Sequence, residues 1–439
     1  MNSNIERALP GALTFVLALS AHAAVQPASL VVHEWGTFTS MQGSNGIALE
    51  GLHHEEEPLP DFVHSQMALR ADRAFLAAHP QQPVPPSEPP PPPPPPHPHH
   101  PIMHKGLDLP VTGVTQKMET PVIYFHTSQP QHVTVHVDFD HGLLTQWFPQ
   151  AARVTPVVPE GAGPLDVSAV QTSSLEWEGD LTPGAKPAEI PAVAATDPWA
   201  FAREVDAVPF RTSGRSATEA ENYLFYRGLG TFTLPVSIAD DGGHTAVVNG
   251  GADALPVAFA VEVTADTARF ARLGAVPAGA KAEVSLGGLP MEAKAPVMER
   301  LAAAVQADLQ AQGLFADEAR AMVRTWSRQW FGSPGTRILY LVPRAVIDRV
   351  LPLAITPAPS TLVRVLLGRL EYMTQATEAQ VATALTDRVS GDAARQASAQ
   401  ATLAGLGRFL EAHVRRAMAR SSDPVLQRSA QEVLSTIEP

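Results

Sequence analysis

The sequence predicts an α+β protein in which an antiparallel, β-sandwich-like N-terminal part is followed by a mainly helical α/β C-terminal part. Before residue 294, short runs of β-branched and aromatic residues alternate with Gly, Asp and Pro, whereas apolar residues recur at helical spacing after it. The charge changes at the same place. Residues 24–294 hold 30 acidic and 14 basic residues, and residues 295–439 hold 13 and 16. We therefore expect a β-rich domain at 24–294 and a helical α/β module at 295–439.

The β-rich part opens with a predicted strand at residues 30–39, which is rich in Val, Thr and aromatic side chains. Further strands are predicted at 121–126, 132–140, 174–177, 223–226, 231–238, 245–248, 257–263 and 282–286. Turns rich in Gly, Asp and Asn follow at 240–243 and 249–251, and Gly228 and Gly230 are predicted to lie in a hairpin turn. Many short strands with this punctuation favour a sandwich or a related antiparallel sheet.

The second part opens with a helix predicted at 297–312, because Leu301, Val305 and Leu309 fall on one face. A second helix is predicted from residue 317, followed by a strand at 338–342, a short helix at 344–350 and several helices after 378. Residues 362–370 fit either a strand or a helix. The second helix has an apolar face formed by Met322, Val323, Trp326 and Trp330. A ridge of arginines lies on another face, formed by Arg320, Arg324 and Arg328.

Residues 1–23 have the pattern of a cleavable signal peptide, with a polar start, an apolar run at 8–20 and the small-x-small sequence Ala21-His22-Ala23. We expect export to the periplasm or the medium with Ala24 at the new N-terminus. The chain contains no cysteine, which excludes disulfides, thiolate metal sites and a catalytic thiol. The net charge of −13 argues against nucleic acid as a partner. No interior run is apolar and long enough to predict a transmembrane segment.

Residues 80–104 are predicted to be a disordered Pro/His-rich insertion in the β-rich domain. Eight consecutive prolines at 89–96 favour a solvated polyproline II segment. Four histidines follow it, at His97, His99, His100 and His104. A flexible chain loses conformational entropy when it closes on an ion. We therefore expect this tract to bind metal weakly, and the other interpretation is a polar linker.

The histidines point to a metal site in the β-rich part, because 14 of the 16 precede residue 142 in an acidic region. His136 and Asp138 share one face of the strand predicted at 132–140, with Cα atoms about 7 Å apart, and could share an ion. We name His33, His136 and Asp138 as candidate ligands of a divalent transition metal. The alternative for the strand pair is an ordinary solvent face.

The pair His33-Glu34 has a different geometry. Adjacent strand residues point to opposite faces, so these two side chains are not expected to act together. Gly36 could mark a β-bulge that relaxes this alternation.

Five segments resemble a group of exported bacterial proteins of uncharacterised activity that open with HEWGTFTS after a signal peptide. They are HEWGTFTS (33–40), LPDFVH (59–64), METPVIYF (118–125), FYRGLG (225–230) and LYLVPR (339–344). The resemblance covers most of the mature chain, including the helix with Trp326 and Trp330, but not the proline tract. It implies export, and it carries over neither an activity nor a catalytic residue.

Two functions remain open at this point. The first is a non-catalytic binding or structural envelope protein with a glycan, a cation or another envelope protein as its partner, for which exposed Trp147, Trp177 or Trp199 would be evidence. The alternative is a metal-dependent hydrolase. Its ligands would come from a pool that contains His33, His64, His126, His136, Glu34, Glu119 and Asp138. The motifs G-x-S-x-G and H-E-x-x-H and a phosphate-binding glycine loop are missing, so catalytic residues stay unassigned.

Overall fold

The computed structural model describes most of the chain after residue 28. The described residues are 29–55, 59–67, 103–104, 107, 109–159, 162–213, 218–240, 245–284 and 286–437. The signal-like segment 1–23 and nearly all of the predicted insertion at 80–104 lie outside these ranges, so both stay predictions.

The described residues form strands that we number in chain order. They are β1 Val31–Gln42, β2 His54–Glu55, β3 His64–Ser65, β4 Met103–His104, β5 Val111–Thr112, β6 Gln116–His126, β7 Gln131–Asp140, β8 Gly142–Phe148, β9 Arg153–Thr155, β10 Leu165–Asp166, β11 Thr172–Leu181, β12 Phe210–Thr212, β13 Ala220–Glu221, β14 Leu224–Gly230, β15 Val236–Asp240, β16 Thr245–Asn249, β17 Leu255–Val263, β18 Thr267–Val276, β19 Lys281–Val284, β20 Glu292–Ala293, β21 Gly335–Leu341, β22 Leu353–Thr356 and β23 Thr361–Tyr372.

Most of the α-helices follow residue 293, as the apolar periodicity predicts. They are α1 Pro198–Ala202, α2 Lys294–Ala311, α3 Ala316–Ser327, α4 Arg344–Val350, α5 Gln375–Asp387, α6 Ala393–Ala404, α7 Leu410–Arg420 and α8 Pro424–Ile437. A π-helical turn at Arg328–Gly332 continues α3. Within the described ranges, none of these helices combines the length and apolar character needed to cross a membrane.

A ten-stranded sheet is the centre of the fold, in the order β20-β18-β17-β21-β23-β1-β6-β14-β8-β3. Strands β1 and β23 run parallel, whereas the other neighbours in this sheet are antiparallel. Strands dominate the N-terminal part and helices become frequent in the C-terminal part. The predicted α+β fold class is confirmed.

Both faces of the large sheet are covered. On one face, a second sheet in the order β13-β12-β11-β7-β22 contributes Val135 and Trp177 to a shared core. On the other face, Leu301 of α2 and Trp326 of α3 pack with Val122 of β6. The central strands are therefore buried on both sides, which is why the apolar run at 362–370 shows no clear periodicity and fits two structures equally well.

The predicted division at residue 294 coincides with the start of α2 at Lys294. However, β21 and β23 come from the C-terminal part and lie between β17 and β1 in the middle of the large sheet. The chain on both sides of residue 294 therefore shares one sheet. The change in sequence pattern marks the first long helix and does not separate two sheets.

A β-bulge interrupts β6 at Thr120 and Pro121. The β1–β6 register shifts between Trp35 and Thr37, and the neighbouring β6–β14 register shifts at the same level. Thr120 has φ of +50°, which is rare for a β-branched residue. A Cβ atom on Gly36 would lie 2.9 Å from the Cα atom of Pro121, so glycine is needed there. The bulge anticipated in β1 at Gly36 therefore lies in the neighbouring strand β6, opposite Gly36.

The neighbouring glycines correct one prediction. Gly228 and Gly230 lie within β14, paired on both sides, and not in a hairpin turn. A Cβ atom on Gly228 would lie 2.3 Å from the carbonyl oxygen of Leu143 on β8. These glycines therefore permit close strand approach and do not reverse the chain.

Residues 297–439 expressed alone should not form a stable domain. In that fragment β21 and β23 would lose β17 and β1, and Trp326 and Trp330 would lose apolar partners from the N-terminal strands. We expect aggregation or strong binding of a hydrophobic dye, whereas the whole protein should bind little dye. Dye fluorescence and urea unfolding check this. A soluble fragment that unfolds cooperatively without binding dye would contradict it.

Candidate functional site

Three donor side chains from distant parts of the sequence meet where β1 and β6 pack against the start of α3. His33 Nδ1 lies 2.7 Å from Glu318 Oε2, and His126 Nε2 lies 3.0 Å from Glu318 Oε1. One donor atom from each residue lies within 4.8 Å of the other two. His33 is 2% exposed and Glu318 is 0% exposed. Two imidazoles and a carboxylate therefore form a compact buried group.

Local structure positions each member of this group. His33 and His126 lie on the neighbouring strands β1 and β6, near the end of the ladder where Val31 pairs with His126. Glu318 is in the first turn of α3, where its Oε2 also accepts a hydrogen bond of 2.7 Å from the Phe315 N–H. A carboxylate is favoured there by the unpaired N–H groups and the positive end of the helix dipole.

The electrostatics keep Glu318 ionised. Burial alone would raise the pKa of its carboxyl group, but hydrogen bonds from His126 and His33 and the Phe315 N–H together hold that pKa below its ordinary value. A charged carboxylate without a cationic partner is costly in a protein interior. The identity of its partners therefore matters.

Glu318 differs in this respect from the other buried acids. Among the described residues, each of the other buried glutamates forms an ion pair with an arginine. The pairs are Glu34–Arg364, Glu119–Arg408, Glu221–Arg203, Glu371–Arg369, Glu378–Arg416 and Glu411–Arg415. Within the described part of the chain, Glu318 pairs only with imidazoles. Among these described glutamates, Glu318 is therefore the buried one that has no arginine beside it.

The group has a path to solvent through His126, whose side chain is 17% exposed. His126 lines an open cleft of about 650 Å³, together with Thr127, Asp206 and Asn222. Phe315 packs against both imidazoles, with ring centroids 4.4 Å from His33 and 4.9 Å from His126, and is itself partly exposed. A small ion could therefore reach the group from the cleft, beside Phe315.

The predicted ligand set His33, His136 and Asp138 is divided between two sheets. His136 Nε2 lies 3.0 Å from Asp138 Oδ1 on β7, as the alternation predicts, and its Nδ1 lies 3.5 Å from Glu176 Oε2. These side chains are about one-third exposed. His33 lies in the large sheet instead and joins His126 and Glu318. The structure brings two of the three candidates together and places the third in another group.

A second buried group contains His53, His54 and Glu411. Glu411 Oε2 lies 2.6 Å from His54 Nε2 and 3.7 Å from His53 Nε2. Arg415 donates a hydrogen bond of 2.7 Å to Glu411 Oε1, and Lys117 donates to the His54 carbonyl oxygen. Arg415 already supplies a fixed positive charge to the carboxylate, so we assign this group to the ion pairing that joins α7 to the sheet region.

The remaining histidines in the predictions have separate positions. His64 contacts Glu219 at 2.9 Å and is part-buried. His104 pairs through its backbone with His54 in the β2–β4 ladder. His97, His99 and His100 lie outside the described residues, and so does the side chain of His104, so the weak metal tract stays a prediction.

The tryptophans named as candidate glycan contacts are interior residues. Trp147 and Trp177 are fully buried, and Trp199 is 5% exposed. They pack in the cores between the layers. An exposed aromatic platform for glycan binding is therefore not formed by these three side chains. On the arginine ridge of α3, Arg324 pairs with Glu204 and lies over the Phe201 ring.

No protein-family model matches the sequence, and none of the curated proteins searched matches it. The functional assignment therefore rests on the side chains described above.

Glu411→Gln should destabilise the protein at neutral pH much more than in acid. Burial would raise the Glu411 pKa, but His54, His53 and Arg415 lower it to about 2. A lowered folded-state pKa adds stability above the ordinary value of 4.5, and that stability is lost as the pH falls from 4.5 towards 2. We expect a loss of about 2–3 kcal/mol at pH 7 from the variant, which urea unfolding at several pH values measures.

The exposed pair Glu432–Arg388 provides the control. Glu432→Gln should cost less than about 1 kcal/mol at every pH, because an exposed ion pair contributes little. Equal effects of the two substitutions, or a Glu411→Gln effect that does not change with pH, would contradict the assignment.

Proposed function

We propose that the protein is an exported metal-binding protein, and that His33, His126 and Glu318 hold a divalent transition metal ion. The observation that carries the proposal is the partner set of Glu318, which is a buried carboxylate paired with two imidazoles while the other buried glutamates of the described chain have arginines. A metal ion would supply the positive charge that an arginine supplies elsewhere. Export rests on the signal-like residues 1–23.

The donor set favours zinc or a similar ion. Two imidazole nitrogens and one carboxylate oxygen match the ligand types of Zn²⁺ and its neighbours, and differ from the all-oxygen sites of Ca²⁺ or Mg²⁺. Ligand atoms around a tetrahedral zinc are about 3.3 Å apart, given Zn–N distances of about 2.0–2.1 Å. The present contacts of 2.7 and 3.0 Å go to the two different oxygens of Glu318, and the three ligand atoms lie within 4.8 Å of one another, so side-chain adjustment would be needed to reach this separation. The ion would replace the protons now shared in these contacts, so its affinity should fall as the pH is lowered.

Zinc titration by calorimetry tests the proposal. The starting protein carries Ala at positions 97, 99, 100 and 104, so that the weak histidine tract does not contribute. We expect one zinc ion per chain, and loss of that binding in His126→Ala. His126 is the most exposed of the three ligands, so its removal should disturb the fold least. Glu318→Gln should also abolish binding while preserving the shape of the site.

His136→Ala is the matched control. His136 also contacts a carboxylate at 3.0 Å, but in the second sheet. It should leave zinc affinity unchanged and leave the thermal shift caused by zinc intact. If the starting protein binds no zinc, or if His136→Ala removes binding while His126→Ala does not, the proposed site is wrong.

A metal-dependent hydrolase is the second candidate, and the cleft beside His126 is the observation that favours it. Three protein ligands leave a coordination position for water, and zinc lowers the pKa of such a water to about 7. Ester and phosphoester hydrolysis by the zinc-loaded protein, compared with His126→Ala, tests this candidate. If the protein binds one zinc ion per chain but shows no hydrolysis that depends on His126, the hydrolase candidate fails and the non-catalytic function remains.

A further inference from the structure

A cleft of about 710 Å³ lies where three layers of the fold meet. Strands β21 and β23 of the large sheet form one wall, the small sheet β15-β16-β19 forms another, and helices α5, α6 and α7 form the third. None of His33, His126 and Glu318 lines it. The cleft is therefore a separate feature, and an inference about it does not depend on metal binding.

Four polar side chains of the cleft have hydrogen-bonding groups that a ligand can reach. Thr245, Thr336 and Thr402 line the cleft and are half-buried, and Gln380 lines it and is exposed. Within the described part of the chain, none of these side chains forms a hydrogen bond, and none of their polar atoms is enclosed. Three hydroxyl groups and one amide from three different layers are thus available to a ligand.

Two further atoms of the cleft are hydrogen-bond acceptors. Glu371 Oε1 lies 2.6 Å from Arg369, but its Oε2 accepts no hydrogen bond from the described residues. The His413 Nδ1–H donates to the Phe409 carbonyl oxygen at 2.8 Å, so Nε2 of the neutral ring is an acceptor, and it also has no partner in the described chain. Both residues line the cleft, and neither atom is among the enclosed unpaired atoms of the described residues, such as Arg369 Nη1. Oε2 and Nε2 therefore keep accessible surface.

The charges of the cleft are balanced within the protein. Glu262 and Glu371 are the carboxylates of the lining, and each lies 2.6 Å from an arginine, Arg269 and Arg369 respectively. Burial lowers the pKa of His413 below its ordinary value, so its ring is neutral at pH 7. A charged ligand would find no uncompensated opposite charge here, and a ligand without net charge is favoured.

Apolar side chains form other parts of the wall. Val284, Leu406 and Phe409 line the cleft and are half-buried, so each keeps some accessible surface. A wholly apolar ligand would cover the hydroxyl groups and the two acceptors without pairing them, which is costly. A sugar has C–H groups on the faces of its ring and hydroxyl groups around its edge, and these hydroxyls both donate and accept. It therefore matches a wall that is apolar in some places and forms hydrogen bonds in others.

We propose that this cleft binds a neutral sugar of one or two rings. Its hydroxyl groups would donate to Glu371 Oε2 and His413 Nε2 and would bond with the threonine hydroxyls and the Gln380 amide, while a ring face would contact Leu406 and Phe409. The volume of about 710 Å³ corresponds to roughly 24 water molecules at about 30 Å³ each, which is enough room for a disaccharide.

Calorimetry on the whole protein with four neutral disaccharides tests the proposal. Maltose, cellobiose, lactose and diacetylchitobiose differ in linkage, in one hydroxyl configuration and in substituents. We expect at least one of them to bind one-to-one with a Kd below about 1 mM. Citrate and spermidine, as anionic and cationic probes at physiological salt, should bind at least about tenfold more weakly than that sugar, because the charges of the cleft are already paired. The sugar affinity should be unaffected by His126→Ala, which separates this proposal from the metal site.

Variants of the cleft locate the sugar. Thr402→Val removes a hydroxyl at nearly constant shape and should weaken sugar binding about fivefold. Thr383→Val is its control, because Thr383 is an exposed threonine on the neighbouring helix α5 and does not line the cleft. Gln380→Ala changes an exposed side chain of the cleft and should also weaken binding about fivefold.

The acceptor nitrogen has its own variant. His413→Phe keeps a planar ring without Nε2 and should weaken sugar binding at least about fivefold. It also removes the hydrogen bond to the Phe409 carbonyl oxygen, so thermal unfolding must show that the variant is folded. If it is not folded, Thr402→Val and Gln380→Ala decide the question, since both change residues that retain accessible surface.

Three results would overturn the proposal. The first is absence of binding by all four disaccharides at about 10 mM. The second is tighter binding of spermidine or citrate than of any sugar, which would mean that the cleft serves a charged ligand. The third is sugar binding that is unchanged in Thr402→Val and Gln380→Ala, or weakened equally in Thr402→Val and Thr383→Val, because the sugar would then lie elsewhere.

Discussion

The parallel pairing of β1 with β23 is the interaction on which the rest of the structure depends. It joins the first described strand to one about 330 residues later, from Val31 opposite Thr361 to Gln42 opposite Tyr372. Within this ladder Glu34 is directly opposite Arg364, and the buried side chains form an ion pair at 2.5 Å. A shift of one residue would turn every side chain of one strand to the other face. It would leave both charges buried and unpaired, at a cost of about 3–5 kcal/mol, so the ion pair fixes the register.

The same register places His33 and Glu34 on opposite faces of β1. His33 faces the helices and meets Glu318, whereas Glu34 faces the second sheet and accepts a hydrogen bond from the Tyr226 hydroxyl. Burial would lower the Arg364 pKa, but Glu34 keeps that pKa above its ordinary value, so the guanidinium stays charged. Two residues further on, Gly36 gives the space for the bulge at Pro121. One strand thus orients the proposed metal ligand His33 and makes room for the bulge.

The segments that carry the sequence resemblance meet around this bulge. HEWGTFTS contributes the glycine, METPVIYF contributes the bulged residues, and FYRGLG contributes the adjacent strand with its closely packed glycines. LPDFVH and the tryptophan-containing helix line a cleft of about 270 Å³ beside the bulge. Read separately, each segment resembles an ordinary strand or helix. What the segments share is that they lie close together in the folded protein, and a single sequence does not show this.

Local patterns predicted much of the fold. The helix at 344–350 was predicted with its observed bounds, because Pro343 suits a helix start and the apolar spacing is short-range. Strand β8 was missed, since nearly all of its residues are buried and no alternation remains. Strand β18 was missed for the opposite reason, because most of its residues are only partly buried. Periodicity is informative when one face is buried and the other is not.

The same limit applies to the candidate site. His136 and Asp138 were identified as a pair because their contact is set by the two-residue repeat of one strand. His33 and His126 were in the pool of ligands, but Glu318 was not, since it is 285 residues from His33 and has the local appearance of an ordinary acid at a helix start. The sequence therefore predicted the histidine-rich region as a source of ligands, and tertiary structure alone selects which of them converge.

Buried ion pairs connect the acidic N-terminal part of the chain with the arginine-rich C-terminal part. Arg364 and Arg408 belong to the arginine-rich C-terminal part and are buried. They form ion pairs with Glu34 and Glu119 of the N-terminal part. Burial lowers the pKa of Arg369 to about 10, despite its contact with Glu371, which still leaves it charged at neutral pH. Two buried ion pairs thus join the oppositely charged parts, whereas others, such as Glu221–Arg203 and Glu378–Arg416, lie within one part. Glu318 comes from the arginine-rich part itself and contacts the histidines of the acidic part. Imidazoles can bind a proton or a metal ion, whereas a guanidinium offers neither choice, and this makes Glu318 the buried acid whose electrostatic partner can be exchanged.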